Sequence, residues 1–175
     1  MRGGHLGLDL EAKLDLGALC RAGVVPAEIT RYCVLRRYRC TGVAKMLYDA
    51  LRSESRRRAI TCWLAAANME TDYAEDAALA YELLCARNLV DWGWQANPRA
   101  APLVRSHRRR PCYTDEQRAR AASGRGAGLP LPRTLALFAI RMGARFIGPP
   151  MYDDYFNVFA LPLIASPGGA QFRVT

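Results

Sequence analysis

Apolar residues first follow a helical spacing shortly after position 26. Four of them recur every three residues and drift slowly around one face: Ile29, Tyr32, Leu35 and Tyr38. Pro26 suits a first helical position because its missing N–H would be unpaired there in any case. The pattern predicts a helix over residues 26 to about 52, in which Gly42 either permits close packing or marks a bend.

A second helix is predicted from about residue 53 to about residue 69. Ser53 or Ser55 is placed to cap it, because a short hydroxyl side chain accepts the free N–H groups of a first helical turn. Its first turn would carry three consecutive arginines: Arg56, Arg57 and Arg58. Positive charge at a helix N-terminus opposes the helix macrodipole, so this placement indicates an acidic partner for those side chains.

The third predicted helix has the clearest start signal. Asp72 is followed three residues later by Glu75, an aspartate version of the capping box, and the helix is expected to end near Asn88. Three helices joined by short loops predict an all-α fold, an antiparallel three-helix bundle. The expected division is an N-terminal arm (1–25), the bundle (26–96), a basic Pro/Gly-rich linker (97–132) and a C-terminal docking segment (133–175) that begins with a short helix at 133–146.

Charge adds a preference for acidic partners. The net charge is +9, and Lys13 and Lys45 are the only lysines, so nearly all positive charge comes from arginine. The planar guanidinium binds carboxylates and phosphates in a bidentate manner, although a GC-rich coding bias would explain the same ratio. The surface therefore suits an acidic protein, a nucleic acid or an anionic lipid.

Signatures of catalysis and metal binding are missing from the sequence. The six cysteines are widely and irregularly spaced, no C-x-x-C pair occurs, and no phosphate loop or nucleophile motif is present. We therefore expect structural thiols in a reducing compartment, no metal site and no enzymatic activity. The longest apolar runs are too short to cross a bilayer, which predicts a soluble or membrane-peripheral protein.

A family resemblance emerges from the order of these features. The run Val34-Leu35-Arg36-Arg37-Tyr38-Arg39, the arginine-rich second helix and the capped third helix followed by Trp92 resemble the mitochondrial LYR proteins. These are three-helix proteins with a Leu-Tyr-Arg signature near the start of the first helix, and some are accessory subunits of respiratory complex I. Arg37 stands where the family signature has leucine.

The resemblance implies a non-catalytic accessory subunit on the matrix side of the mitochondrial inner membrane. It would contact membrane-arm subunits of complex I and the acidic mitochondrial acyl carrier protein, whose acyl-phosphopantetheine chain enters the bundle; no cofactor would be bound directly. The residues implied at the carrier interface are Leu35, Arg36, Arg37, Tyr38, Arg39, Lys45, Arg56, Arg57 and Arg58. Those implied along the acyl-chain channel are Gly42, Ala66, Ala67 and Ala78.

Alternatives remain open. Small residues also suit close helix packing, and Tyr38 is also interpretable as an ordinary aromatic on a helix face. An organellar ribosomal protein that contacts RNA would explain the arginine excess, because phosphate neutralisation needs only cations. The nearly neutral residues 1–25 and the poorly basic tail argue against it. A LYR-type assembly factor is a third possibility, although the long tail favours a permanent subunit.

Overall fold

The protein is seen in a computed structural model that describes residues 7–21, 24–99 and 110–168. The strands are β1 (Leu14–Asp15), β2 (Pro26–Glu28), β3 (Cys62–Asn68), β4 (Asn97–Pro98), β5 (Arg145–Phe146), β6 (Met151–Asp153) and β7 (Val158–Ala165). The α-helices are α1 (Gly17–Arg21), α2 (Val43–Arg57), α3 (Ala74–Ala86), α4 (Asp115–Arg120) and α5 (Arg133–Met142). Short 3-10 turns lie at Asp9–Ala12, Arg36–Tyr38 and Trp92–Trp94, and a π-helical turn lies at Ala121–Arg125.

A mixed five-stranded sheet organises the fold. Its order is β2-β3-β7-β5, with β2 parallel to β3 and β7 antiparallel to β3. The other edge of β7 pairs with β5 and then with β6, which are separated by Ile147-Gly148-Pro149-Pro150. Pro162, which has no N–H to donate, lies opposite that interruption, and its carbonyl accepts the backbone N–H of Ile147 at 3.0 Å. A strand tolerates a proline where the pairing is interrupted. A second sheet joins β1 and β4 antiparallel.

The all-α prediction is therefore wrong: the chain has an α/β fold, and the antiparallel three-helix bundle is not formed. The error is largest at the second predicted helix, where the alanine run forms β3. The side chains of Trp63, Ala65 and Ala67 pack on one face of this strand, and those of Cys62 and Leu64 on the other. A central strand buried on both faces is a continuous apolar run, and here its tertiary burial overrides the helix propensity of alanine.

The first predicted helix is also split. Its beginning forms β2, and the helix starts only at Val43, after Gly42 adopts a left-handed backbone with φ of +86°. Since a helix cannot run through that conformation, Gly42 ends the preceding loop and serves as the N-cap. Arg56 and Arg57 consequently lie in the last turn of α2, where positive charge is favoured by the macrodipole.

Two predicted helices are present. The helix predicted to begin at Asp72 is α3, although Tyr73 rather than Asp72 is its N-cap and no side chain caps it. The helix predicted at 133–146 is α5, which ends earlier because Gly143 adopts a left-handed conformation with φ of +59°. Asp72 is used differently: its carboxylate accepts the backbone N–H of Arg110 at 3.0 Å.

Different layers cover the two faces of the main sheet. Side chains from α2, α3 and α5 pack on the face that carries Trp63. Residues of the N-terminal arm pack on the other face, together with Trp94 and Ala96: Leu10, Leu14, Leu16 and Leu19. The arm thus contributes to the core of its own chain. Residues 100–109, which carry most of the basic run of the expected linker, lie outside the described residues.

None of the described helices combines the length and the apolar character needed to cross a lipid bilayer.

Candidate partner-binding surface

The residues predicted at a partner interface all lie exposed on one continuous segment, residues 35–58, which we call the basic face. It consists of the 3-10 turn Arg36–Tyr38, a short connection and α2. Eight basic and two acidic residues fall within it, so it holds most of the excess positive charge of the whole chain, which is +9. The predicted cations therefore all lie on one exposed segment of the chain, although not on a helix bundle.

The loop before α2 is folded back on that helix. The Tyr32 hydroxyl donates to the carbonyl of Ala44 in the first turn of α2, at 2.5 Å. The Arg39 guanidinium donates to the carbonyl of Val34 at 3.1 Å, and Arg37 lies over the Tyr38 ring at 4.9 Å from its centroid. A guanidinium stacked on an aromatic ring is held in place while its edge still offers N–H donors to a partner.

Large apolar side chains are exposed beside these arginines. Leu35 is 65% exposed and Met46 is 70% exposed, and Leu47 is 41% exposed. Tyr38 presents an apolar ring with a polar tip at the same surface, exposed to 44%. Single exposed apolar residues are common, but several within a few residues of clustered arginines are typical of an interaction site.

The arginines predicted at the interface form two separate groups, at positions 36–39 before α2 and at positions 56–58 at its C-terminal end. Helix α2 has 15 residues, so the ends lie about 22 Å apart at 1.5 Å per residue. At the C-terminal end, Glu54 pairs with Arg57 and Arg58, and their hydrogen bonds lower the pKa of Glu54 to about 2. The charge there is partly neutralised within the helix.

At the N-terminal end the arginines keep their charge available. Among the described residues, Arg36, Arg37 and Arg39 form no ion pair, while Lys45 pairs with Asp49 at 2.6 Å. This end also carries the exposed apolar side chains. We call it the 35–47 surface; it comprises Leu35, Arg36, Arg37, Tyr38, Arg39, Met46 and Leu47.

The residues expected to line an acyl-chain channel are not brought together. Gly42 lies exposed at the start of α2, with open space around its Cα, and Ala78 is exposed on α3. Ala66 and Ala67 are neighbours on β3, so their side chains point to opposite faces of the sheet. With no helix bundle to enclose them, these four residues do not border a common space.

A buried polar cluster was missed by sequence reasoning. Asp76 is fully buried in α3, and its Oδ2 accepts the backbone N–H groups of Cys112 at 2.8 Å and Tyr113 at 3.1 Å. Arg118 donates to its Oδ1 at 2.6 Å. Burial raises the pKa of the Cys112 thiol to about 12, which leaves it a poor nucleophile. The cluster anchors the chain that follows residue 109, and no local signal in the sequence connects partners so far apart.

Within the described part of the chain, no three His, Cys, Asp or Glu side chains are grouped so that they could hold a metal ion. Compared with known proteins, the chain matches no family model, no curated protein and no solved structure. The function is therefore inferred from the charge and geometry of the surface itself.

Proposed function

We propose that the protein is a non-catalytic binding module that holds an acidic protein through the 35–47 surface. The observation that carries this proposal is the combination of Arg36, Arg37 and Arg39, unpaired with carboxylates among the described residues, and the exposed side chains of Leu35 and Met46. Arginine and aromatic anchors that bury apolar area at the centre of a patch are the usual hot spots of protein interfaces.

The aliphatic side chains favour a protein over a nucleic acid. Phosphate neutralisation needs cations only, and bases stack on aromatic or guanidinium planes. A phosphate backbone would not bury the exposed side chains of Leu35 and Met46, whereas an acidic helix with apolar residues between its carboxylates would bury both. Tyr38 alone suits either partner.

The mitochondrial acyl carrier protein is an acidic candidate of this kind, and it is the first partner to test. The reason to test it is its acidity and not the LYR resemblance, because the three-helix bundle on which that resemblance depended is not formed. Membership of respiratory complex I, a location on the matrix side of the inner membrane and an acyl chain inside this chain stay predictions, and the proposed docking does not require them.

Binding to purified acyl carrier protein, measured by calorimetry at low and at physiological salt, tests the proposal. The triple variant Arg36→Glu, Arg37→Glu, Arg39→Glu is expected to weaken binding by at least about tenfold. Its matched control reverses the same number of exposed charges elsewhere, with Arg120→Glu, Arg133→Glu and Arg141→Glu. The control is expected to change affinity less than about threefold, through long-range electrostatics only.

A second pair of variants separates a protein from RNA as the partner. Leu35→Ala with Met46→Ala is expected to weaken carrier binding and to leave the affinity for a 20-nucleotide single-stranded RNA unchanged. Equal losses in both triple variants would show that net charge alone drives association. Tight, salt-sensitive RNA binding that is indifferent to the Leu35 and Met46 substitutions would replace the proposal with an RNA-contacting function.

A further inference from the structure

A cleft of about 350 Å³ opens on the arm side of the main sheet, and none of its lining residues belongs to the 35–47 surface. Four segments that are distant in sequence meet there: the arm around Asp9, the end of β2 at Glu28, the middle of β3 at Ala66 and the hairpin between β6 and β7. Its volume is within the range of small-molecule sites. Because it is assembled by the tertiary fold, no sequence pattern marks it.

The floor of the cleft is the sheet itself. Residues 62–67 of β3 are all buried except Ala66, which is half-buried although its strand lies in the interior of the sheet. The arm packs Leu10 on the same face but covers Ala66 only in part, and the buried Met151 completes the apolar floor. A central sheet position that is small and open to a cleft leaves room for the apolar part of a ligand.

The hairpin supplies a preformed wall. Oδ1 of Asp153 accepts the backbone N–H of Tyr155 at 3.0 Å and that of Phe156 at 3.4 Å, which fixes the tip. The two rings meet edge to face, with centroids 4.9 Å apart, and the Tyr155 residue is 84% exposed. Lys13 pairs with Asp153 at 3.5 Å and so ties the arm to the hairpin.

Two carboxylates, those of Asp9 and Glu28, line the arm side of the cleft. Oε2 of Glu28 accepts the backbone N–H of Leu10 at 3.0 Å. Burial raises the pKa of Glu28, and the negative charge of Asp9 raises that pKa further. Lys13 is committed to Asp153, and Arg31 is the other cation on the rim. A positive charge between Asp9 and Glu28 would relieve their repulsion.

We propose that this cleft binds an organic amine with an apolar or aromatic body. The ammonium lies between the carboxylates of Glu28 and Asp9, and the body rests on Ala66 and Met151 against the ring of Tyr155. Charge-assisted hydrogen bonds hold the head, and the cation also benefits from the aromatic wall. This site is independent of the 35–47 surface and of the docking proposed for it.

Three probes of similar size and different charge test the inference: 2-phenylethylamine, 2-phenylethanol and phenylacetate. Each is titrated into the ¹⁵N-labelled full chain, and amide shifts are followed. The amine is expected to shift Glu28, Ala66 and Tyr155 saturably, the alcohol to bind more weakly, and phenylacetate to shift none of them. Glu28→Gln is expected to weaken amine binding by about tenfold.

Matched variants make the outcome decisive. Asp154→Asn removes a neighbouring carboxylate on the exposed hairpin turn that does not line the cleft, and it is expected to leave the affinity unchanged. Ala66→Leu is expected to abolish amine binding, because the larger side chain fills the space above the sheet. If this variant does not fold, the comparison of Glu28→Gln with Asp154→Asn still tests the proposal. No saturable shift with the amine, equal binding of phenylacetate, or equal losses in Glu28→Gln and Asp154→Asn would each overturn the proposal.

Discussion

Arg118 places its Nη1 atom 2.6 Å from Oδ1 of Asp76, a carboxylate with no exposed surface. The second oxygen of that carboxylate accepts two backbone N–H groups from residues 36 and 37 positions later in the chain. Helix α3 and the segment that leads into α4 are therefore joined by one ion pair and by backbone donors that converge on a single side chain.

Removal of that carboxylate is expected to destabilise the fold strongly. Asp76→Ala leaves buried N–H donors without an acceptor, which should cost about 3 kcal/mol in the free energy of unfolding. Asp115 pairs with the same guanidinium at 2.7 Å, but its side chain is 99% exposed. Asp115→Ala should cost less than about 1 kcal/mol, since exposed ion pairs contribute little. Urea denaturation compares the two, and equal losses would contradict the assigned role of Asp76.

A buried hydrogen bond between α2 and β3 gives a second stability test. The indole N–H of Trp63 donates to the Ser55 hydroxyl at 2.8 Å, and both side chains are buried. Ser55→Ala leaves that N–H without its acceptor and should lower the free energy of unfolding by about 1–3 kcal/mol. Ser53→Ala, at an exposed position of the same helix, should change it by less than about 0.5 kcal/mol. Unaltered stability in Ser55→Ala would mean that another acceptor replaces the hydroxyl.

Gly148 is expected to be irreplaceable for a steric reason. A Cβ added there would lie 2.0 Å from the carbonyl oxygen of Ala96, a backbone atom held by the core. Gly148→Ala should therefore destabilise the protein by at least about 2 kcal/mol, or prevent folding. Gly128→Ala is the control, because a Cβ there meets nothing within 4 Å. A thermal melt of Gly148→Ala that matches the native protein would show that the strand interruption can shift.

Thiol alkylation should separate the cysteines by burial. Cys33 and Cys40 are exposed, whereas Cys62 is buried and burial raises its pKa to about 12. Iodoacetamide at pH 8 should label Cys33 and Cys40 within minutes and Cys62 only in denaturant, as read by peptide mass spectrometry. Rapid native labelling of Cys62 would mean that β3 opens or is not central.

The stability of the native protein relative to a Glu28→Gln variant is expected to depend on pH. Burial raises its pKa above the ordinary 4.5, with a further rise from Asp9, so its ionised form is disfavoured in the folded state. The cost is present at neutral pH and disappears as the pH falls below 4.5, where the carboxyl is protonated in both states. Glu28→Gln, which retains an acceptor for Leu10, should equal or exceed the native stability at pH 7. Denaturation curves at pH 7 and pH 4 should show that the difference in stability between Glu28→Gln and the native protein becomes smaller at pH 4. A difference that grows on acidification would contradict the raised pKa of Glu28.

Local signals in the sequence were sufficient for part of this fold. The Asp72/Glu75 capping signal and the apolar period predicted α3, and an apolar face predicted α5, because a helix encodes its buried stripe within a few residues. The ends were less well predicted: the N-cap of α3 is Tyr73, and the stop of α5 at Gly143 was not recognised. The cluster of arginines at 36–39 and 56–58 likewise predicted a cationic surface, since charge is fixed by composition and such side chains stay at the surface.

Only the tertiary structure decided what the alanine run becomes. Ala65 to Ala67 favour a helix locally, yet they form a strand because β2 and β7 supply backbone partners on both edges and core side chains cover both faces. Gly42 was ambiguous for the same reason, since its left-handed conformation, which makes it the start of α2 and not the middle of a longer helix, is set by where the chain must turn. Pairing over nearly a hundred residues, as between Ala66 and Pro162, leaves no periodic trace in either segment. The chain itself therefore determined the surface charge and two helices, and the sheet followed from contacts that exist only once distant segments meet.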